Sequence, residues 1–282
     1  MESEKMILLP LDGSESSLSA LLPAKSLAVL LNMSIYILYI SDEELSREDL
    51  IKKLKLKPEE LPRFLLAQKT GKPADVILSE LKSVKYIVMG THGETANLEE
   101  LTGSVSREVL KYSEIPVLLI HPNMKLPVQD NIWKPKNVLI PLNGTLGASH
   151  TLGPVIEILV RTSAELDLLH IVTSKAEVPT SPGCLTTPYY VDFPQLEWTS
   201  WSKEFIRRFG PILHNHNHIN FKLSISCGDP ADEIIKFAEK NHNDLIAMTW
   251  HGNLTEPHAT ILKKVMRQAP CPCLLVRIVN NQ

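Results

Sequence analysis

The sequence predicts an α/β fold present in two tandem copies, each a parallel sheet with helices on both faces. Three observations predict it. Apolar runs without polar alternation, such as Tyr86, Ile87, Val88 and Met89, alternate with segments of helical period, the pattern of strands covered on both sides. Glycine-bearing turns follow these runs: Gly13 after the first, Gly90 and Gly93 after a later one. The first half of the chain also recurs in the second. Residues 7–14 match 138–145, and the register holds without a gap through Pro23 and Pro154 to the apolar runs 35–40 and 166–171. Gly71, Pro73, Ala74 and Asp75 recur as Gly228, Pro230, Ala231 and Asp232, residues 86–93 as 245–252, and 115–120 as 271–276. Matched blocks in one order identify a duplication.

In order, residues 6–12 read as a strand and 14–31 as a helix, with Asp12 and Ser14 as capping candidates. Residues 34–40 form a second strand with both faces apolar, and the charged run 42–54 a helix, with a further turn at 58–61. A strand at 63–70, a helix at 74–81 and a strand at 86–90 come next. The half closes with a helix at 104–112, broken before Ile115 and Pro116, and a strand at 117–121. The expected domains are 1–122 and 136–282, joined by a linker at 123–135 that carries Pro127, Gln129, Asp130 and Asn131. The second half repeats the order and differs mainly at residues 173–193, a Pro-, Ser- and Thr-rich loop containing Tyr189 and Tyr190. A loop that long is usually functional or disordered.

Composition agrees. A chain of 282 residues with 44% hydrophobic residues suits two cores of ordinary size. Its net charge of −3 gives no case for a nucleic-acid partner or a membrane surface. The polar start (Glu2, Ser3, Glu4, Lys5) shows no signal peptide. The longest apolar stretch, 18–31, is interrupted by Pro23, Lys25 and Ser26 and is too short for a transmembrane segment. Cys184, Cys227, Cys271 and Cys273 all fall in the second half without the spacing of a disulfide framework. The expectation is a soluble, cytoplasmic protein.

The motif that carries chemistry is Gly90, Thr91, His92 and Gly93, followed nine residues later by Gly103 and Ser104 at a helix start. Glycines let a backbone close around phosphate, and the helix presents free N–H groups to the same anion. The segment reads strand, glycine loop, helix, which places a nucleotide phosphate site at the C-terminal end of a parallel strand.

Three features together resemble the universal stress protein family: Asp12, Gly13 and Ser14 ending the first strand, the helix start at 71–75, and the Gly-x-x-Gly-x9-Gly-Ser spacing of 90–104. The duplication resembles the tandem, two-domain members of that family, over nearly the whole chain apart from the linker and the 173–193 loop. The resemblance implies Rossmann-like, five-stranded parallel sheets of the adenine-nucleotide alpha hydrolase-like type, with strand order 3-2-1-4-5. It implies binding of ATP, or of AMP or ADP, with or without Mg²⁺. It also implies pairing through the last strand, either between the two halves or between chains in a homodimer, and leaves any protein partner unidentified. Carried over by residue, Pro10, Leu11, Asp12 and Ile40 would hold adenine and ribose. Met89, Gly90, His92 and Gly93 would run beneath the ribose and phosphates. Gly103, Ser104, Val105 and Ser106 would give backbone N–H groups, and the serines hydroxyls, to the phosphate oxygens.

The second half departs from this pattern. Gly90 corresponds to Thr249, Gly103 and Ser104 to Ala259 and Thr260, and Asp12 to Asn143. The loop from Gly252 to Ala259 is three residues shorter than its counterpart and carries Pro257 and His258. The expectation is one nucleotide site, in the first half, and a degenerate second one. Plainer readings stand beside these. Asp12 and Asn143 can serve as caps. His92 and His251 follow the strand in both copies, and because the second copy has lost its phosphate loop, a packing or backbone role stands at least level with catalysis. Glu94, Glu99 and Glu100 offer oxygens of the kind Mg²⁺ takes, but read as a solvated acidic loop. Cys271 and Cys273 read as buried strand residues, and His214, His216 and His218 as a surface loop, so no metal site is assigned.

The function class expected is a nucleotide-binding stress-response or regulatory protein that changes shape or partners with its ligand. The alternatives are a slow ATPase or nucleotide-transferring enzyme, and a scaffold binding a protein or lipid. Phosphoryl transfer needs a cationic clamp. The first-half loop offers Arg107 and Lys111, and no catalytic residue is assigned.

Overall fold

The computed structural model describes residues 5–91, 103–122, 124, 126–142, 152–172, 220–250, 252 and 257–278. The 173–193 loop, Asn143, Cys184, His251, the acidic residues Glu94, Glu99 and Glu100, and the histidines at 214, 216 and 218 lie outside the described residues.

The first half runs β1 (Met6–Pro10), α1 (Glu15–Leu18), α2 (Leu21–Leu31), β2 (Ser34–Ile40), α3 (Arg47–Lys53), a 3-10 segment (Pro58–Arg63), β3 (Phe64–Lys69), α4 (Pro73–Ser79), β4 (Val84–Gly90), α5 (Ser104–Tyr112) and β5 (Val117–Ile120). Two helices differ from the sequence reading. The expected helix at 14–31 is divided into α1 and α2 at Ser19 and Ala20. Pro23 accounts for the division: it has no N–H for the Ser19 carbonyl, and its ring crowds that carbonyl. Ser14 caps α1 as expected, its Oγ accepting from the Ser17 N–H at 3.1 Å. The charged helix begins only at Arg47, because Ser46 takes the cap and accepts from the Asp49 N–H at 3.1 Å.

The segment joining the halves is structured. Val128–Gln129 (β6) and Ile132–Trp133 (β7) form an antiparallel hairpin. Asp130 and Asn131 occupy its turn at φ 53° and 60°, the positive pair that a tight hairpin turn requires. Trp133 is fully buried against α2, and its backbone N–H donates to Ser26 Oγ at 2.8 Å.

The second half runs β8 (Asn137–Leu142), α6 (Leu152–Thr162), β9 (Glu165–Val172), β10 (Phe221–Cys227), α7 (Pro230–Lys240), β11 (Leu245–Trp250), α8 (Pro257–Gln268) and β12 (Cys273–Arg277). All the long strands join one ten-stranded sheet, in the order β10-β9-β8-β11-β12-β5-β4-β1-β2-β3. Each half has the 3-2-1-4-5 order. Every neighbouring pair in it is parallel except β12 with β5, which pair antiparallel with Leu274 opposite Leu118. Of the two pairings implied by the resemblance, the structure has the one within the chain, so the edge of β5 is closed to a second copy.

Apolar residues pack on both faces of the sheet. Leu9, Leu11, Leu27, Trp133, Val155 and Leu274 belong to the layer beneath α2 and α6. Leu8, Met89, Val109, Ile234, Leu262 and Leu275 belong to the layer beneath α4, α5, α7 and α8. Among the described residues, no helix is long and apolar enough to cross a membrane.

Candidate functional site

In the first half the chain steps outward from β1 to β2 and in the opposite direction from β4 to β5. The crevice beyond the C-terminal ends of β1 and β4 is therefore the topological switch point, where open α/β sheets take their ligands. Asp12, Gly90 and the start of α5 meet around it, although they lie far apart in sequence.

The β1 end is held by local bonds. The Leu11 N–H continues the ladder to Leu38 O at 3.0 Å, and the Leu11 side chain is buried in the layer facing α2. Leu11 therefore offers this crevice only its backbone, because the pleat turns its side chain to the other face. Asp12 Oδ1 accepts from the Ser14 N–H at 2.9 Å, closing a turn through Gly13 at φ +87°. The carboxylate thus orders the loop. Lys53 on α3 reaches the same loop: a Cβ built on Gly13 would lie 3.2 Å from its Cγ, and its ammonium sits 5.2 Å from the Tyr39 ring centroid. No local motif announces this lysine. Met89 belongs to the opposite apolar layer, and the partly buried Ile40 and Val105 pack against that layer.

At the β4 end, Gly90 is demanded by the fold itself. A Cβ there would stand 2.5 Å from the carbonyl oxygen of Ser16 on α1. The glycine lets α1 lie directly on the strand end, and the Ser16 hydroxyl oxygen is buried beside it without a hydrogen-bond partner among the described residues. Thr91 then ties β4 to α5. Its carbonyl accepts from the Gly103 N–H at 2.8 Å and from Ser106 Oγ at 2.8 Å. This corrects two expectations. The Ser106 hydroxyl and the Gly103 N–H point into the fold, to Thr91, rather than toward phosphate. His92 and Gly93 lie outside the described residues.

What remains for an anion is the start of α5. Gly103 provides no side-chain cap, and the first turn carries no acidic residue. The N–H groups of Ser104, Val105 and Ser106 are the first in the helix and precede its first i→i−4 bond, Arg107 N–H to Gly103 O at 3.1 Å. By contrast α1, α3 and α7 are each capped by a side chain, those of Ser14, Ser46 and Asp229. Among the described residues, no side-chain cap or first-turn carboxylate offsets the positive end of α5.

The corresponding crevice of the second half is built otherwise. Thr249 sits inside β11, followed by the nearly buried indole of Trp250. Arg277 packs on Gly252, its Nε 2.6 Å from where a Cβ would stand, and donates to Tyr112 O of the first half at 3.1 Å. Helix α8 begins at Pro257, so one of its opening positions has no N–H, and Ala259 and Thr260 lie further inside the helix than Gly103 and Ser104 do in theirs. Cys271 and Cys273 are buried free thiols, and burial pushes the Cys273 pKa up to about 12. Among the described residues, no cluster of His, Cys, Asp and Glu could hold a metal ion.

Comparisons with known proteins agree with this architecture. The profile of the universal stress protein family matches residues 4–121 and again 134–277. A universal stress protein of Methanothermobacter thermautotrophicus is 31% identical over 137 residues, spanning 46% of this chain and 92% of its own length. One from Methanocaldococcus jannaschii is 32% identical over 138 residues, spanning 41% of this chain and 81% of its own. Among solved structures, a universal stress protein from Archaeoglobus fulgidus superposes along 98% of this chain and 99% of its own, with a TM-score of 0.62 at 19% identity.

Proposed function

Because this chain belongs to the universal stress protein family, through a matching segment in each half, we propose that it is an adenine-nucleotide-binding regulatory protein with a single nucleotide site in the first half. The observation that carries this reading is the uncapped start of α5, tied by Thr91 to the end of β4 at the switch point. Ser104, Val105 and Ser106 would present N–H groups to the phosphates. Asp12 and the backbone at Leu11 would meet the ribose and base, against the wall of Ile40 and Met89. Each N–H or dipole contact contributes about 0.3–1 kcal/mol. Micromolar affinity needs about 8 kcal/mol, so most of it has to come from burying the adenine. ATP is the ligand we favour, with Lys53, beside Gly13, and Arg107, in the second turn of α5, as the candidate cations for its phosphates.

The second half keeps the apolar side, with Ile171 and Met248 where the first has Ile40 and Met89, but it has Asn143 for Asp12 and a helix that opens on Pro257, and we assign it a structural role. Calorimetric titration of ATP tests the proposal, with nucleotide carried through purification identified by mass spectrometry. One site per chain is expected. Gly103→Val should abolish binding and Ala259→Val leave it intact, with the unliganded melting temperature of each variant as the folding control. Equal effects of the two variants, or no binding at millimolar ATP, would overturn the assignment.

A further inference from the structure

Among the described residues, a cleft of about 1120 Å³ opens on the other side of the molecule, at the N-terminal ends of the first-half strands and against α6. Its apolar strip includes Ile115, Pro116 and the half-exposed Val160, and Lys5, Lys85 and Arg161 stand around it. Lys85 pairs with Glu157, which also accepts from Tyr86 Oη at 2.8 Å. Among the described residues, neither Lys5 nor Arg161 has a carboxylate partner.

The duplication gives this cleft a twin. In the register of the repeat, Lys5, Lys85 and Glu157 correspond to Lys136, Asp244 and Ser26, and α6 corresponds to α2. The twin is filled. The strand carrying Trp133 lies on α2, with the indole fully buried and the Trp133 backbone N–H donating to Ser26 Oγ. Asp244 holds the same incoming chain through the N–H groups of Lys136, at 2.8 Å to one oxygen, and Asn137, at 3.1 Å to the other. Where the twin has the Asp244 carboxylate, the open cleft has the Lys85 ammonium. Where the twin's flank has Leu30, the open cleft has Arg161.

We propose that the open cleft is a docking groove for an extended, acidic peptide segment of a partner protein, seated by a large aromatic side chain as the twin is by Trp133. The twin supplies the shape of the occupant, and the inverted charge supplies its sign. An open groove rimmed by cations suits a strand-like segment with carboxylates on either side of its anchor.

A synthetic peptide copying residues 126–135, with Gln129→Glu and Lys134→Glu, is the probe. Its binding to the full chain is read by fluorescence anisotropy at low and moderate salt. The acidic peptide should bind one per chain, more weakly as salt rises. The unaltered copy, a copy with Trp133→Ala, and the protein variants Val160→Asp and Arg161→Glu should each bind about tenfold more weakly or worse. Both protein substitutions are at exposed positions, so their melting temperatures should stay at the wild-type value, and Gly103→Val should leave peptide binding unchanged. No binding at about 1 mM peptide, or binding indifferent to Val160→Asp and Arg161→Glu, overturns the proposal. Free tryptophan competing as well as the peptide would make the cleft a small-molecule pocket and overturn it equally.

Discussion

At the scale of single residues, the chief change concerns Gly90. In sequence it reads as a phosphate-loop glycine, and its replacement by Thr249 in the other half suggests that the fold can do without it. The structure shows that the first half cannot: α1 lies on the strand end, 2.5 Å from where a Cβ would be. Gly90→Ala should therefore destabilise the unliganded protein by about 1–3 kcal/mol, the usual cost of an overpacked site. The measurement is the urea midpoint without nucleotide. An unchanged midpoint would return Gly90 to a role in ligand contact alone.

His170 makes a second prediction at this scale. Burial lowers its pKa below the usual 6.5, partly offset by the contact of Nδ1 with Leu142 O at 3.3 Å. The unfolded chain then takes up the proton more readily than the folded one, so stability from this residue is complete above about pH 6.5 and is lost as pH falls through the folded value. His170→Asn, which keeps a donor near the Nδ1 position, should lose less stability between pH 7 and pH 5 than the wild type. Equal losses would show that His170 does not govern the acid response.

At the scale of elements, legibility in the sequence tracks how local the cause is. Helix α5 is found at its expected bounds because Gly103 opens it and Pro116 bars its extension. Strand β2 is equally legible from its two apolar faces. The division between α1 and α2 comes from Pro23, a local rule masked in the sequence by the apolar run around it. The hairpin could not be read as a docked element, because its reason lies in Ser26, over a hundred positions away. Asp130 and Asn131 read only as linker residues, and nothing local says that Trp133 is buried. The candidate site rests in sequence on a glycine spacing, whereas the inward bonds of Gly103 and Ser106 and the approach of Lys53 come from tertiary packing. Since Trp133 fills the space between α2 and the start of β8, Trp133→Ala should cost about 3–5 kcal/mol. Ser26→Ala, which strands the Trp133 N–H, should cost about 1–3 kcal/mol. Chemical denaturation of both variants checks the order. A Trp133→Ala cost below about 1 kcal/mol would mean that the segment is only a tether.

At the scale of the molecule, the decisive feature is the antiparallel seam of β5 and β12. It makes one sheet of two repeats, and Leu118 and Leu274 face each other across it, both buried. Other contacts cross between the halves: α2 packs on α6, Tyr86 Oη donates to Glu157, and Arg277 donates to Tyr112 O. A repeat protein whose modules share a sheet and an apolar layer should unfold as one unit, although each module has the size of an independent domain. Calorimetric and van't Hoff enthalpies should therefore agree for the wild type. Leu274→Asp places a carboxylate in the apolar layer at the middle of the seam, where leaving the charge unpaired costs several kcal/mol or forces its protonation. That cost falls on the contact between the halves more than on either core. The melting temperature should drop, and the calorimetric enthalpy should exceed the van't Hoff value as the halves begin to melt separately. Nucleotide should then raise only the transition belonging to the first half, since ligand stabilises what binds it. Two independent transitions already present in the wild type and unmoved by Leu274→Asp would show that the seam joins the halves without coupling them. A nucleotide bound in the first half would then have no route through the sheet to the second.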